Sequence, residues 1–238
     1  MRGVGWKTSA ASVVGPGHIA SGLPNQDAWA FWRTHRYGCL AVADGLGSRP
    51  RSEIGSRAAC RAAVAVSRRH AYDRRPFGTW RFLGDIRREW LAAIHPFDPG
   101  DCATTCLVAT WSPRSVRLFQ IGDGLAAAVL RDGRVETLTD DKSESFSNLV
   151  TPLSETTKPG AWRASCVSVA QCVGVLLCTD GISDDLSDSS GFATACVADL
   201  ASGEATAARW TDMLANWPVP AHLDDKTMAV LARRRVRK

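Results

Sequence analysis

One stretch of the sequence decides the fold that we expect for this protein: Gly38-Cys39-Leu40-Ala41-Val42-Ala43-Asp44-Gly45-Leu46-Gly47-Ser48. Its apolar residues form a run of strand length that is bounded by turn residues, which is typical of a buried strand. The strand ends at Asp44, whose charge is costly to bury unless a positive group meets it. Gly45 has no Cβ, so its carbonyl can approach a ligand closely. The pair is a candidate site for a hard cation such as Mg²⁺ or Mn²⁺, although Asp-Gly by itself is more often a turn.

The same pattern, an apolar strand followed by Asp and Gly, occurs at Asp123-Gly124 and Asp180-Gly181, and Asp224 precedes a last short strand. Strand ends at one edge of a sheet can converge, so these segments can bring several carboxylates together. Such a group of anions needs compensating cations. Two divalent ions roughly 3.5–4 Å apart would supply the charge and would activate a water for attack on a phosphoryl group. The alternative for each single site is a surface turn.

Hydrophobic periodicity predicts a mixed chain of strands and helices. The expected helices lie after Pro50 and at residues 79–94, 192–200 and 204–217. A loop is expected at residues 15–27, and Asp132-Gly133 indicates a hairpin turn. The expected strands are residues 4–14, 28–33, 38–44, 102–110, 115–121, 125–130, 134–138, 164–169, 173–178 and 228–232.

Composition limits the classes of protein that the chain can belong to. The sequence has 238 residues, of which 45% are hydrophobic and 22% charged, as in ordinary globular proteins. Of the net charge of +5, five positive charges lie in the last six residues, so the rest is neutral and we expect no nucleic acid partner. The eight cysteines are scattered without a CxxC pair, which favours reduced thiols. With no membrane-spanning run and no signal-peptide segment, we expect a cytoplasmic protein without membrane contact.

The acidic segments resemble, in order and spacing, the motifs of the metal-dependent Ser/Thr protein phosphatases of the PP2C (PPM) type, in particular the bacterial type. Each motif alone is short, but six in this order extend over almost the whole chain. The segments that carry the resemblance are Asn25-Gln26-Asp27, Ala43-Asp44-Gly45-Leu46-Gly47-Ser48, Ala103-Thr104-Thr105, Gly122-Asp123-Gly124, Thr179-Asp180-Gly181 with Asp184, and Asp224-Asp225-Lys226-Thr227.

The resemblance implies an α+β fold, a four-layer αββα sandwich in which two packed antiparallel β-sheets are flanked by helices. The metals would lie at one end of the sandwich. It also implies one PP2C-like domain over residues 1–238, with a variable flap at about residues 139–163 and a basic C-terminal tail at 233–238.

The resemblance also assigns a metal centre. Asp44, Asp180 and Asp224 would bind two Mn²⁺ or Mg²⁺ ions directly, together with the Gly45 carbonyl. Asp27 would hold metal-bound waters and would complete the expected catalytic set.

Further residues are expected around this centre. Asp123 and Asp184 would bind a weaker third ion found in bacterial-type members. Among the departures from the family pattern, Gln26 replaces a Glu and Gly22 stands where a phosphate-binding Arg is expected. His18 is our candidate to bind phosphate instead, and the alternatives are a surface histidine without a role or an arginine such as Arg33 or Arg49.

The favoured interpretation is metal-dependent hydrolysis of phosphoserine and phosphothreonine in proteins, in a pathway linked to a Ser/Thr kinase. One alternative is a weak or inactive PP2C-like module that binds phosphoproteins, which the missing Arg and Gln26 would favour. Another is a metal-dependent phosphoesterase acting on small molecules or nucleic acid, which the acids alone fit equally well.

Overall fold

The computed structural model describes residues 5–72, 78–138, 151–219 and 222–234. Its strands form two five-stranded antiparallel sheets. The first sheet has the order β1-β10-β9-β6-β7 and the second the order β2-β3-β4-β5-β8. The strands are β1 (Trp6–Val13), β2 (Asp27–Arg33), β3 (Gly38–Asp44), β4 (Cys106–Trp111), β5 (Ser115–Ile121), β6 (Leu125–Leu130), β7 (Val135–Leu138), β8 (Arg163–Ser168), β9 (Cys172–Cys178) and β10 (Lys226–Arg233).

Helices cover the outer faces of both sheets. Helices α2 and α3 pack on the second sheet, and α5 and α6 pack on the first. Because a third apolar cluster fills the space between the sheets, the molecule has four layers, and the predicted α+β sandwich is confirmed. No helix among the described residues is long and apolar enough to cross a bilayer. The helices are α1 (Pro16–Ser21), α2 (Ser52–Ala71), α3 (Thr79–Ile94), α4 (Asp180–Ser183), α5 (Ser189–Ser202) and α6 (Ala207–Ala215), with a 3₁₀ turn at Pro159–Ala161.

Strand β3 is an interior strand of the second sheet, between β2 and β4, and its burial explains why its sequence is apolar without alternation. Leu40 and Val42 point into the layer between the sheets. Cys39, Ala41 and Ala43 point to the opposite face, under α2 and α3. A strand that is covered on both faces has no polar side to present to water. The small residues on the helix side let the 20-residue helix α2 lie close to the sheet.

An ion-pair cluster joins the two helices of the outer layer. His70 near the end of α2 lies 2.8 Å from the Asp85 carboxylate of α3, which also accepts a 2.8 Å hydrogen bond from Arg88. Burial alone would raise the pKa of Asp85. The hydrogen bonds from His70 and Arg88 outweigh burial and hold this pKa below its ordinary value of 3.8.

Some boundaries differ from the sequence predictions. The loop expected at residues 15–27 contains α1, because Pro16 presets the first helical turn and Gly22, with φ of 66°, ends the helix. Strand β4 starts at Cys106 and not at Cys102, since Thr104 and Thr105 bond to the Asp44 backbone. The Asp180-Gly181 pair opens the one-turn helix α4 and is not a simple turn.

The expected flap is only partly described. Residues 139–150, like residues 235–238 of the expected basic tail, lie outside the described residues. In the described part, residues 151–163, Leu153 and Trp162 are buried against the helices of the second sheet. The Leu153 N–H donates a 2.7 Å hydrogen bond to the Thr104 carbonyl. This half of the segment is therefore attached to the sheet edge that carries Asp44.

We expect Asp85→Asn to lower the free energy of unfolding at pH 7 by about 1–3 kcal/mol, because it weakens two hydrogen bonds to a largely buried carboxylate. The pKa of Asp85 in the folded state lies below the unfolded value of about 3.9. The contribution of this carboxylate is therefore complete above that pH and is lost as pH falls through the folded pKa.

Urea unfolding at pH 7 and pH 3 measures both effects, and the difference between parent and variant should shrink at the lower pH. Asp132→Asn is the control, since the Asp132–Arg134 pair is exposed. Equal losses of stability at both pH values would contradict the role of the Asp85 charge.

Candidate metal centre

Three of the predicted acids come together at one end of the sandwich. Asp44 ends β3, Asp123 follows β5 and Asp180 follows β9 as the first residue of α4. Strands β3 and β5 run in the same direction on either side of β4, so they end at the same edge. One carboxylate oxygen from each of the three acids lies within 4.8 Å of the other two. The expectation that separated strand ends converge is therefore correct for these three residues.

The other predicted acids surround this group. Asp27 pairs with Asp44 in the β2–β3 register and is buried. The charge of Asp224 acts on both Asp44 and Asp180, although Asp224 does not belong to the compact group of three. The charge of Asp184 acts more weakly on Asp180. The tertiary structure thus places all six candidate carboxylates in one electrostatic neighbourhood.

Burial and mutual repulsion raise the pKa values of Asp27, Asp44 and Asp180. Burial raises the pKa of Asp27 to about 8, against hydrogen bonds from Thr227 and Thr179 that favour the charged form. Burial and then the charges of Asp123 and Asp224 raise the pKa of Asp180 to about 6.

Asp44 shows the same effect more strongly. Burial and then the charges of Asp27 and Asp180 hold its pKa well above the ordinary range. A group of carboxylates that resists ionisation in this way is the environment that a divalent cation would relieve.

Backbone and hydroxyl groups fix the position of Asp44. The Asp44 N–H donates to the Thr105 hydroxyl at 2.9 Å, and the Asp44 carbonyl accepts from the Thr104 hydroxyl at 2.7 Å. The Thr105 N–H donates to the same carbonyl at 2.7 Å. The Thr-Thr pair that the sequence singles out therefore holds the end of β3 in place.

Two glycines allow backbones to meet beside the acids. A Cβ on Gly45 would lie 2.5 Å from the carbonyl oxygen of Ser52, the first residue of α2. A Cβ on Gly181 would lie 1.9 Å from the carbonyl oxygen of Asp225. Each contact is closer than any side chain tolerates, so both positions need glycine for packing. Close packing against α2 therefore requires glycine at position 45, in addition to the close approach of a ligand that we expect from the sequence.

A second buried carboxylate, Asp225, connects the surrounding segments. Its Oδ1 accepts a 2.6 Å hydrogen bond from the N–H of Gly15, and its Oδ2 accepts one of 2.6 Å from the N–H of Gln26. The Nδ1 of His18 lies 2.9 Å from the same Oδ2. Asp225 is only 2% exposed, so these donors replace its solvation. It thereby ties α1 and the start of β2 to the segment that carries Asp224.

Hydrogen bonds also define the surroundings of Asp27. Its Oδ2 accepts a 2.9 Å bond from the Thr179 hydroxyl, which in turn accepts one of 3.1 Å from the Thr227 N–H. Thr179 and Thr227 lie at facing ends of β9 and β10, so this chain of bonds connects the two sheets. Asp27 belongs to the second sheet, and the acids of the two sheets are therefore held in a fixed relation.

Sequence reasoning missed three residues of the site. Asp225 and Thr179 lie inside predicted motifs, but only burial reveals the contacts that they make. Arg163 at the start of β8 donates a 2.6 Å bond to the Gly122 carbonyl, and its charge interacts with Asp123. Its position at the end of the expected flap gives no signal in the sequence.

The two arginines that could replace the missing phosphate-binding arginine lie away from the acids or at the surface. Arg33 donates a 2.7 Å bond to the Trp6 carbonyl at the far end of β2 from Asp27, so it is excluded from the site. Arg49 is exposed in the loop after Gly45. The expected Arg position, Gly22, is the left-handed residue that ends α1.

We expect Asp44→Asn to raise the melting temperature in EDTA at pH 8, since it removes one charge from a crowded buried group. A gain of 1 kcal/mol corresponds to about 2–4 °C in a domain of this size. Millimolar Mn²⁺ should raise the melting temperature of the parent by mass action and should leave the variant almost unchanged. Asp212→Asn on the exposed face of α6 is the control, and an unaltered Mn²⁺ response in Asp44→Asn would contradict a metal site at Asp44.

A separate prediction concerns Asp225→Asn. An amide offers one acceptor oxygen, so its NH₂ group would face the N–H of Gly15 or that of Gln26. We expect a loss of about 1–3 kcal/mol in urea unfolding with EDTA present. His18→Ala removes only the partly exposed partner and should cost less. Equal stability of Asp225→Asn and parent would show that the second acceptor oxygen is dispensable.

Comparison with known proteins gives the family. A sequence model of protein phosphatase 2C matches residues 14–217. No curated protein sequence matches the chain significantly.

Solved structures share the fold at low identity. The serine/threonine phosphatase Stp1 from Staphylococcus aureus has a TM-score of 0.70 and 18% identity, over 98% of this chain and 97% of that chain. The catalytic domain of the serine/threonine protein phosphatase PstP in complex with two manganese ions has a TM-score of 0.63 and 20% identity, over 97% of this chain and 99% of that chain. The PP2C phosphatase domain of SpoIIE from Bacillus subtilis has a TM-score of 0.61 and 13% identity, over 100% of this chain and 66% of that chain. With a family match over most of its length and this fold, the chain belongs to the protein phosphatase 2C family of enzymes, as its motifs predict.

Proposed function

We propose that this protein hydrolyses phosphoserine and phosphothreonine in other proteins at a centre of two Mn²⁺ or Mg²⁺ ions. The observation that carries the proposal is the compact group of carboxylate oxygens from Asp44, Asp123 and Asp180. Family membership and the two manganese ions of the similar PstP catalytic domain support it.

The donor set fits hard divalent cations. All candidate ligands are oxygens, which Mg²⁺ and Mn²⁺ prefer, and no histidine or cysteine belongs to the compact group. The raised pKa values of Asp44 and Asp180 indicate anions that lack compensating charge. A ligand set of this kind stabilises the fold when a cation neutralises it.

We assign the two ions to Asp44, Asp180, Asp224 and the Gly45 carbonyl. When bound, they supply positive charge to phosphoryl oxygens and lower the pKa of a water. Asp27, whose carboxylate accepts a hydrogen bond from Thr179, would orient such a water by accepting a hydrogen bond from it.

Asp123 and Asp184 are proposed to bind a third, weaker ion. Asp123 lies within reach of Asp44 and Asp180, which favours its participation. The charge of Arg163 acts on Asp123 and would weaken its attraction for a cation. This is consistent with an accessory site.

We propose that His18 orients the phosphoryl group. A carboxylate only accepts, so the ring atom that faces Asp225, Nδ1, must carry the proton of their hydrogen bond. Its Nε2 is then the atom that can meet a substrate. Nε2 can donate to a phosphoryl oxygen when both ring nitrogens carry a proton. This arrangement would replace the arginine that is missing at Gly22.

The substrate class that we propose is a phosphoprotein, in a pathway with a Ser/Thr kinase and in the cytoplasm. The acidic cluster does not distinguish a phosphoprotein from other phosphate esters, so the proposed substrate class rests on membership of the family. Gln26 and Gly22 favour the alternative, a weakly active or inactive phosphoprotein-binding module, because both remove a charged group from the family pattern.

The decisive experiment measures Mn²⁺-dependent release of phosphate from a phosphothreonine peptide. We expect turnover by the parent and a loss of at least about a hundredfold in Asp180→Asn, since an amide is a poor substitute for an anionic ligand. Asp212→Asn is the matched control. Peptide binding without turnover in the parent would favour the binding module, and normal turnover in Asp180→Asn would refute the metal assignment.

The same assay tests His18. We expect His18→Ala to lower kcat/KM for the phosphopeptide about tenfold while leaving the Mn²⁺ response of the melting temperature intact, because it removes a positioning group and no metal ligand. His35→Ala in the exposed β2–β3 turn is the control. An unchanged kcat/KM would leave His18 with its structural role at Asp225 alone.

A further inference from the structure

Asp224, one of the proposed metal ligands, lies in a short turn at residues 222–224, which we call the Asp224 turn. The ammonium group of Lys226 donates hydrogen bonds to two carbonyls of this turn, to that of Asp224 at 2.9 Å and to that of His222 at 3.4 Å. Lys226 is only 2% exposed. Burying an ammonium group is costly unless acceptors replace its water, so the contact with the Asp224 turn compensates the burial of Lys226.

The remaining carbonyl of the turn contacts the segment that begins α1. The carbonyl of Leu223 accepts a 3.0 Å hydrogen bond from the N–H of Gly17. A Cβ on Gly15 would lie 2.3 Å from the carbonyl carbon of Asp224, so the backbones of these two residues are in direct contact. All three carbonyls of the Asp224 turn therefore have donors, and its backbone is fixed on two sides.

A side-chain contact attaches the same turn to the segment after α4. The ring Nδ1 of His222 bonds to Oδ2 of Asp185, and the same oxygen accepts a 2.7 Å hydrogen bond from the indole N–H of Trp217. The side chains of Asp185 and His222 are both largely buried. Asp185 follows α4, the helix that Asp180 opens, so this contact ties the Asp224 turn to the segment of another proposed ligand.

We propose that Lys226 and Asp185 are positioning residues, which hold the Asp224 carboxylate near the other acids before a metal ion binds. The charges of Asp224 and of Asp44 and Asp180 repel one another, so an unattached turn would move away from the acids in the metal-free protein. Ligands that are already in place bind a metal ion more tightly, because their ordering costs nothing at the moment of binding. The inference rests on the proposed role of Asp224 as a ligand.

The positive charge of Lys226 gives the proposal a definite sign. If Lys226 acted only as a counter-ion of the acids, it would compete with a metal ion, and removal of its charge would tighten metal binding. If Lys226 positions the turn, its removal releases two carbonyls of the Asp224 turn and weakens metal binding. The two roles therefore predict opposite changes in affinity.

Calorimetric titration of the metal-free full chain with Mn²⁺ distinguishes these roles. Lys226→Met keeps most of the length of the side chain and removes its donor, and we expect it to weaken Mn²⁺ binding at least about fivefold. Asp85→Asn is the control, since it costs stability in a layer of helices that contains none of the proposed ligands, and its Mn²⁺ affinity should equal that of the parent. Equal or tighter binding in Lys226→Met would overturn the positioning role of Lys226.

A matched pair of variants at His222 tests the second contact. The amide N–H of asparagine can occupy the place of the imidazole Nδ1, so His222→Asn keeps a donor for Asp185 and His222→Ala removes it. We expect Mn²⁺ affinity to fall at least about fivefold in His222→Ala and to stay within about twofold of the parent in His222→Asn. Parent affinity in His222→Ala, or the same loss in both variants, would overturn the role of Asp185.

Hydrogen exchange in EDTA gives a measurement that needs no metal. We expect the amides of residues 222–226 to exchange at least about tenfold faster in Lys226→Met than in the parent, with those of β3 unchanged. Equal exchange in parent and variant would overturn the positioning role even if the parent binds Mn²⁺. Absence of Mn²⁺ binding by the parent would instead refute the proposed metal centre, so the two failures are distinguishable.

Discussion

Repulsion between buried carboxylates is the constraint on which the rest of this structure depends. Asp27, Asp44 and Asp180 have raised pKa values because the fold withdraws them from water and places them beside one another. Such an arrangement is unfavourable for the folded chain by itself. It persists because a large four-layer core holds the strand ends in place, and a bound cation would convert the repulsion into attraction.

The hydrogen bonds around the acids show how the fold sustains this arrangement. Thr104 and Thr105 hold the backbone of Asp44, and Thr179 binds Asp27 across the gap between the sheets. Asp225 collects two backbone N–H groups and His18, so that α1, β2 and the β10 segment form one unit. These bonds fix side chains whose charges would otherwise drive them apart, which is the preorganisation that a metal centre requires.

The buried strands and amphipathic helices could be predicted from the sequence because burial leaves either a continuous apolar run or a helical period. Strand β3 was evident as a continuous apolar run, and α3 matched its predicted bounds because Leu83, Ile86, Trp90 and Ile94 recur at helical spacing. Helix α1 was missed because six residues are too few to show a period. The convergence of Asp44, Asp123 and Asp180 was inferred from a repeated motif. The distances between their carboxylates could be known only once the order of the strands in the sheets was known.

The sequence by itself determined which residues carry negative charge at strand ends and which family their order resembles, and that resemblance implied the layers of the fold. The charges and the order of the motifs are local patterns that read the same in any arrangement of the strands. Only the tertiary structure decided that Asp225 needs both carboxylate oxygens, that Arg163 acts on Asp123 and that Asp185 binds the ring of His222. Each of these depends on groups that are distant in sequence and meet only when the two sheets and their helices pack.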